Sequence, residues 1–270
     1  MKQKIILGIA YSMSELLALL EKKESGIIIL GTMIECGDYR LNCYPGITLS
    51  GKSNQCGLKF DVKTFKMPLL RMHQESRLEN LRLDFRVEQV SPDANFGCIL
   101  IQDRDVSFGY VTIINSVAAK ADRYARPLPA LYLQYPLFAR ENIAIRVEGN
   151  LATAVKGDNT SKARFLMQNA SVSVYAQSVL FPTIAHCLFE VSGCGVFFVY
   201  DNQEIVCDDF VNAYVLLSGN AKIYCNIRNA ILKEMPFDLD KKKQRLIISA
   251  TSPQKVAEKG SCLWPFAFCR

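Results

Sequence analysis

The sequence predicts an all-β fold: a single-stranded right-handed parallel β-helix, a solenoid of about nine coils with an N-terminal capping helix. Three observations carry this expectation. A short apolar strand, a small or polar turn and a second strand of alternating apolar residues recur along most of the chain. The recurrence varies in length, as a solenoid allows when its turns swell, which excludes leucine-rich and hexapeptide repeats. The Asn-Gly and Asp-Gly turns that a β-sandwich or barrel would use between short strands are absent.

The elements follow in order. Ser12-Met13-Ser14-Glu15 has capping-box spacing, so a helix should start there. Leu16 to Leu20 then supplies an apolar run that could cover the first coil, whose cross-section a solenoid must protect. The first strand starts near Ile27. Ile47-Thr48-Leu49-Ser50-Gly51 leads to Leu58-Lys59-Phe60, and Leu69-Leu70-Arg71-Met72 leads to Leu81-Arg82-Leu83-Asp84-Phe85. Ile99-Leu100-Ile101-Gln102 leads to Val111-Thr112-Ile113-Ile114, and Leu131-Tyr132-Leu133-Gln134 to Ile143-Ala144-Ile145-Arg146-Val147. Later copies have tighter turns: Phe165-Leu166-Met167 before Ser171 to Tyr175, Leu188 to Val191 before Gly195 to Val199, and Tyr214 to Leu217 before Ala221 to Cys225. Leu246-Ile247-Ile248 begins the last unit. First-strand starts near 27, 47, 69, 98, 131, 165, 188, 214 and 246 lie 20, 22, 29, 33, 34, 23, 26 and 32 residues apart. At about 4.8 Å per coil, nine coils make a rod on the order of 40 Å long. The domain expectation is one unit over 1–270, with strand and capping helix in 1–25, coils in 26–250, and a C-terminal cap or docking tail in 251–270. That last segment contains Trp264, the only tryptophan. Gln102, Gln134 and Gln168 take matching places in the repeat, where Ser50, Ser192 and Ser218 stand in other coils; stacked amides there would form a hydrogen-bonded ladder.

A helix at Ser14 to Leu20, the strand Gly26 to Gly31, a loop, and then Tyr44-Pro45-Gly46-Ile47-Thr48-Leu49-Ser50-Gly51 form an order that resembles the opening of pectin-lyase-like β-helix proteins. The resemblance is one of layout over most of the chain. It implies the solenoid and two enzyme chemistries. Hydrolases of that superfamily use clustered acids in Asn-Thr-Asp, Asp-Asp, Gly-His-Gly and Arg-Ile-Lys patterns; this chain has Asp208-Asp209 and none of the others. Lyases use a calcium site of several carboxylates. Asp103 and Asp105, with Glu75 and Glu79 in the preceding unit, form a possible hard-cation cluster or an ordinary charged turn.

Composition narrows the function less. Half of the 270 residues are hydrophobic, 21% are charged and the net charge is +6, a soluble globular balance without the basic stripe expected for nucleic acid. No run reaches the roughly 18 apolar residues of a membrane span. Met1 to Ala10 has too short an apolar run for a convincing signal peptide, so the expectation is a cytoplasmic protein or secretion by a signal-independent route. Ten cysteines without a CxxC, and only two histidines, argue against a zinc site. The cysteines read as buried free thiols, with Cys262–Cys269 the local pair if the chain is oxidised. Gly46 to Ser53 matches the phosphate-loop pattern formally, but its interior reads as a strand with no helix after it. No cofactor or metal is expected.

Three segments, Arg86 to Gly97, Asn115 to Pro129 and Leu151 to Lys162, read as long loops on one edge of successive coils. They could wall a groove for an extended ligand, or be solvated loops. Lys120, Arg123, Tyr124, Arg126, Lys156 and Lys162 are the candidate binding residues: guanidinium and ammonium groups for carboxylates, and a tyrosine face for a sugar ring. The functional expectation is a non-catalytic protein binding an extended acidic glycan or a protein surface. The alternatives are a divergent polysaccharide lyase or hydrolase, and a bacterial secreted effector or adhesin acting as an interaction scaffold.

Overall fold

The computed structural model describes residues 5–119, 126–158, 162–168 and 170–177, and the strands Ile184–Ala185, Leu188–Ser192, Val196–Val199, Glu204–Val211, Tyr214–Leu217, Lys222–Arg228, Ile231–Glu234 and Ile248–Ser249. Strand β1 (Ile6–Ala10) leads into helix α1 (Met13–Glu21). The capping box is formed: the Glu15 N–H donates to Ser12 Oγ at 3.3 Å, and the Ser12 N–H donates to Glu15 Oε2 at 3.1 Å. Leu16 and Leu20, one helical turn apart, are buried in the core.

From there the chain winds as a parallel β-solenoid around three faces. The first coil is β2 (Gly26–Leu30), β3 (Met33–Glu35) and β4 (Leu41–Cys43); the second is β5 (Ile47–Gly51), β6 (Gly57–Phe65) and β7 (Leu70–Met72). In the next two, one long strand covers two faces: β8 (Arg77–Val90) before β9 (Ile99–Ile101), and β10 (Val106–Val117) before β11 (Leu128–Leu133). Then come β12 (Leu137–Ala139), β13 (Ile143–Glu148) and β14 (Ala152–Gly157), followed by β15 (Arg164–Gln168), β16 (Ser171–Gln177) and β17 (Ile184–Ala185). Between β4 and β14 the chain closes about four turns. Among the described residues every strand pairing is parallel, and the strands after β17 continue the winding in the same sense.

The register explains the irregular spacing read from sequence. Thr48, Arg77, Ser107, Phe138 and Leu166 stack on face one, 29, 30, 31 and 28 residues apart. The apolar runs at 69, 98 and 131 lie instead on face three, as β7, β9 and β11, whereas those at 27, 47, 165 and 188 lie on face one and that at 214 on face two. The sequence reading therefore changed face between coils. An apolar strand on any face of a solenoid has the same look, because each face buries alternate residues.

Inward columns build the core. Ile34, Leu58, Leu83, Ile113, Ile145 and Val174 are in register on face two and all buried. Beside them the Phe60 and Phe85 rings stack at 5.1 Å between centroids. Each such side chain stabilises by about 1.5–3 kcal/mol on burial. Corners need left-handed backbone. Gly46 (φ 75°), Glu75 (57°) and Asp105 (63°) occupy the corner from face three to face one; Asn80 (50°) and Tyr110 (54°) occupy the corner from face one to face two. A left-handed bend at Asn80 and Tyr110 lets β8 and β10 pass the corner without breaking their ladder.

All three predicted loops are partly strand, the first because β8 runs on through Arg86 to Val90 in register with β6. Asn115 is not a loop residue: it sits inside β10, fully buried, in register with Phe85 and Val147. Leu151 to Lys162 contains β14, which pairs with β11. The proposed glutamine ladder also divides. Gln102 and Gln134 follow β9 and β11 on face three, but Gln168 pairs with Ser192 on face one. Gly46 to Ser53 contains β5, a strand as read. Cys36, Cys43, Cys56 and Cys98 are buried free thiols. The C-terminal segment from 251 lies outside the described residues.

Candidate functional site on the third face

Face three is built from a repeated local pattern, apolar–outward–apolar–polar. Its copies are Leu41-Asn42-Cys43-Tyr44, Leu70-Arg71-Met72-His73, Ile99-Leu100-Ile101-Gln102, Leu131-Tyr132-Leu133-Gln134 and Val155-Lys156-Gly157-Asp158. The first and third positions of each copy are buried. The second position forms a row, Asn42, Arg71, Leu100, Tyr132 and Lys156, in strict register, in which Leu100 is buried and the other four are half-buried. The fourth forms a column at the exit corner: Tyr44, His73, Gln102, Gln134 and Asp158. Backbone bonds tie it together, since the Gln134 N–H donates to the Ile101 carbonyl and the Asp158 N–H to the Leu133 carbonyl.

The column carries specific contacts. The His73 ring stacks on Tyr44, with centroids 6.0 Å apart and planes 15° from parallel. Lys23 Nζ lies 5.3 Å from the Tyr44 ring centre. His73 Nδ1 is 3.0 Å from Gln102 Nε2 and 3.4 Å from Asp103 Oδ2. In the second-position row, Tyr132 meets Phe96 edge-on at 5.6 Å. Burial raises the Tyr132 phenol pKa, and the negative charge of Asp158 raises it further. Lys162 Nζ sits 5.0 Å from the Tyr135 ring centre, a cation over an aromatic face.

Three of the six candidate residues are described. Exposed Arg126 stands two residues before β11 and donates from Nη1 to Asn95 Oδ1, linking two successive turns between faces two and three. Lys156 is in β14, in register with Tyr132. Lys162 follows face three at its exit. Lys120, Arg123 and Tyr124 lie outside the described residues, as do His186 and Trp264. The entry of face three is held from inside by Asn115. Its Nδ2 donates to the Leu128 carbonyl at 2.8 Å and the Thr153 carbonyl at 3.2 Å, while the Cys98 thiol donates to its Oδ1 at 3.6 Å. Tyr44, His73, Tyr132 and Tyr135 were missed as site residues. The signal was their fixed place after or within each apolar triplet.

A cavity of about 430 Å³ lies on face two, lined among others by Asp61, Lys63, Arg86, Glu88, Ser116 and Ala118. Its two acids and two bases alternate, so it has no charge preference. Face two is otherwise covered by ion pairs: Lys59 with Glu35 and Asp61, Arg82 with Asp84, and Arg146 with Glu148. Asp103 Oδ2 lies 3.4 Å from His73 Nδ1, and Glu75 and Asp105 form the corner. Among the described residues no cluster of three or more His, Cys, Asp or Glu side chains is arranged to hold a metal ion, and no helix is long and apolar enough to cross a membrane.

No protein-family model matches this sequence, and a comparison with curated proteins finds no match.

Proposed function

We propose that this protein is a non-catalytic solenoid of the pectin-lyase-like type that binds an extended acidic chain, a uronic-acid glycan or an acidic protein segment, along its third face. The observation that carries the reading is the register of Arg71, Tyr132 and Lys156 in one row, with the buried Leu100 between the first two, flanked by Arg126 at the entry and Lys162 over Tyr135 at the exit. Successive coils repeat at about 4.8 Å, so cations and rings are offered at intervals along the axis, which suits a polymer better than a compact ligand. The cavity on face two, with balanced charge, offers an anion no comparable advantage.

The rest of the architecture belongs to the same reading. Nine coils extend the parallel pairing seen through Ile248–Ser249, α1 covers the open end of the first coil with Leu16 and Leu20, and the whole chain is one domain. Isothermal titration of polygalacturonate against the parent and an Arg126→Ala/Lys156→Ala double variant tests the binding reading at low and high salt. The variant should bind at least about threefold more weakly at low salt, and the difference should shrink as salt screens exposed charges. Equal affinities would overturn the assignment to face three. New reducing ends or unsaturated products, with or without calcium, would replace it with a lyase or hydrolase. Binding to acidic proteins alone would favour an interaction scaffold.

A further inference from the structure

We propose that the cavity on face two is a second binding site, for a small zwitterion whose ammonium and carboxylate sit close together, as in an amino acid. Arg86 takes the carboxylate and Glu88 takes the ammonium. The site is separate from face three and does not depend on the reading of that face.

The register builds the cavity from three successive coils. Arg86 lies between Asp61 on the coil before and Ser116 on the coil after. Val87 is in register with Val62, and its carbonyl accepts from the Ala118 N–H at 2.8 Å. Lys63 falls between the pairs Val62–Val87 and Thr64–Gln89, which sets it beside Glu88. Val62, Val87 and Val117 are buried, so the residues on either side of them share the outer side of the sheet. Bulk then changes along the axis. Two coils carry long charged side chains there, and the third carries a serine and an alanine. The step leaves a cavity of about 430 Å³, a volume suited to a small molecule rather than a polymer.

Charge selects the ligand. Two acids and two bases favour neither an anion nor a cation, but they favour a molecule that carries both charges. The four are not equally available. The Asp61 carboxylate is 3.1 Å from Lys59 Nζ, so it already has a partner. Among the described residues Arg86 and Glu88 have no ion pair and no side-chain hydrogen bond, and the Ser116 hydroxyl has no hydrogen bond. Arg86 and Glu88 are two positions apart on β8, so their Cα atoms lie about 6.7 Å apart on one side of the strand. An amino acid fits between the two head groups. Its carboxylate receives two parallel bonds from the guanidinium fork, and its ammonium donates to the Glu88 carboxylate. Ser116 offers the carboxylate a further donor, and Ala118 gives the ligand an apolar floor. Lys63 is also without an ion pair among the described residues, which leaves a cation for a carboxyl group on the ligand's own side chain.

Three probes of one skeleton test the site on the full-length protein. L-Alanine carries both charges, N-acetyl-L-alanine only the carboxylate and L-alaninamide only the ammonium. Nuclear magnetic resonance follows the backbone amides as each probe is titrated. L-Alanine should move the amides of 86–88 and 116–118 saturably, and each single-charge probe should bind at least about threefold more weakly, the scale of one exposed ion pair. Arg86→Gln should bring L-alanine down to the parental affinity for L-alaninamide, and Glu88→Gln to that for N-acetyl-L-alanine. Both positions are exposed, so neither change should disturb the fold. Equal affinities for the three probes, shifts that survive both substitutions, or no saturable shift each overturn the proposal. Polygalacturonate should bind the Arg86→Gln protein as it binds the parent. A weaker affinity there would make the cavity part of the acidic-chain surface and overturn its separate role, whereas failure of polygalacturonate to bind either protein ends the glycan reading of face three and leaves this site to the alanine titration.

Discussion

Replacing Asn115 with Leu should destabilise the protein by about 2–6 kcal/mol. The magnitude follows from its surroundings. The side chain is fully buried and its amide donates to two carbonyls, those of Leu128 and Thr153, which belong to face three. Leu fills a similar volume but donates nothing. Each carbonyl that loses a donor away from water costs about 1–3 kcal/mol, and two are affected. The Cys98 thiol also loses its acceptor. Total stability of a domain is about 5–15 kcal/mol, so the loss is a large fraction of it. Urea unfolding followed by far-ultraviolet circular dichroism measures it directly. Asn115→Ala should cost more than Asn115→Leu, because a cavity is added. Ser116→Ala, one residue on and pointing outward, should change stability by about 0.5 kcal/mol or less. An Asn115→Leu protein within about 0.5 kcal/mol of the parent would refute the claim that this amide joins faces two and three.

Other expectations follow from particular positions. Gly149→Ala should destabilise by more than about 2 kcal/mol in the same unfolding assay, since φ is 98° and a Cβ would lie 2.0 Å from the Val117 carbonyl oxygen. Burial pushes the Cys36 thiol from 9.0 up to about 12, with the Glu35 charge adding to it and a hydrogen bond from the Lys59 backbone opposing it. The folded state therefore favours the neutral thiol. The stability this contributes is whole below pH 9 and is lost as pH rises toward 12, so the urea midpoint should fall between pH 8.5 and 10.5 and fall less in Cys36→Ala. Lys59→Ala should lower the thermal unfolding midpoint only slightly despite two carboxylate partners, because Glu35 and Asp61 face solvent, and the difference should shrink further at high salt.

The strand-and-turn recurrence made the solenoid legible, as did the capping box at Ser12 and Glu15, because both depend on local spacing. The phase of the repeat was not legible. Leu70, Ile99 and Leu131 look like Ile47 in sequence, and only the pairing of distant strands assigns them to another face. Glu75 and Tyr110 gave no corner signal, since left-handed backbone is ordinarily marked by Gly, Asn or Asp, as at Gly46, Asn80 and Asp105. Asn115 read as the start of a loop because polar residues seldom fill a core. Its place is explained by two carbonyls that no sequence pattern announces. Lys156 and Lys162 were legible as basic residues, and the structure places Lys156 on face three and Lys162 after it. Their neighbours Tyr132 and Tyr135 were not, since their adjacency is set by register across coils about 20–30 residues apart.

Hydrogen–deuterium exchange of the parent with and without polygalacturonate tests the central claim, that the third face is the recognition surface, most directly. The account predicts added protection in the segments from 70 to 74, 99 to 103, 131 to 135 and 155 to 158, with no change in β6 or along the outer side of β8. Protection confined to the face-two cavity around Asp61, Arg86 and Glu88, or spread evenly over all three faces, would contradict it.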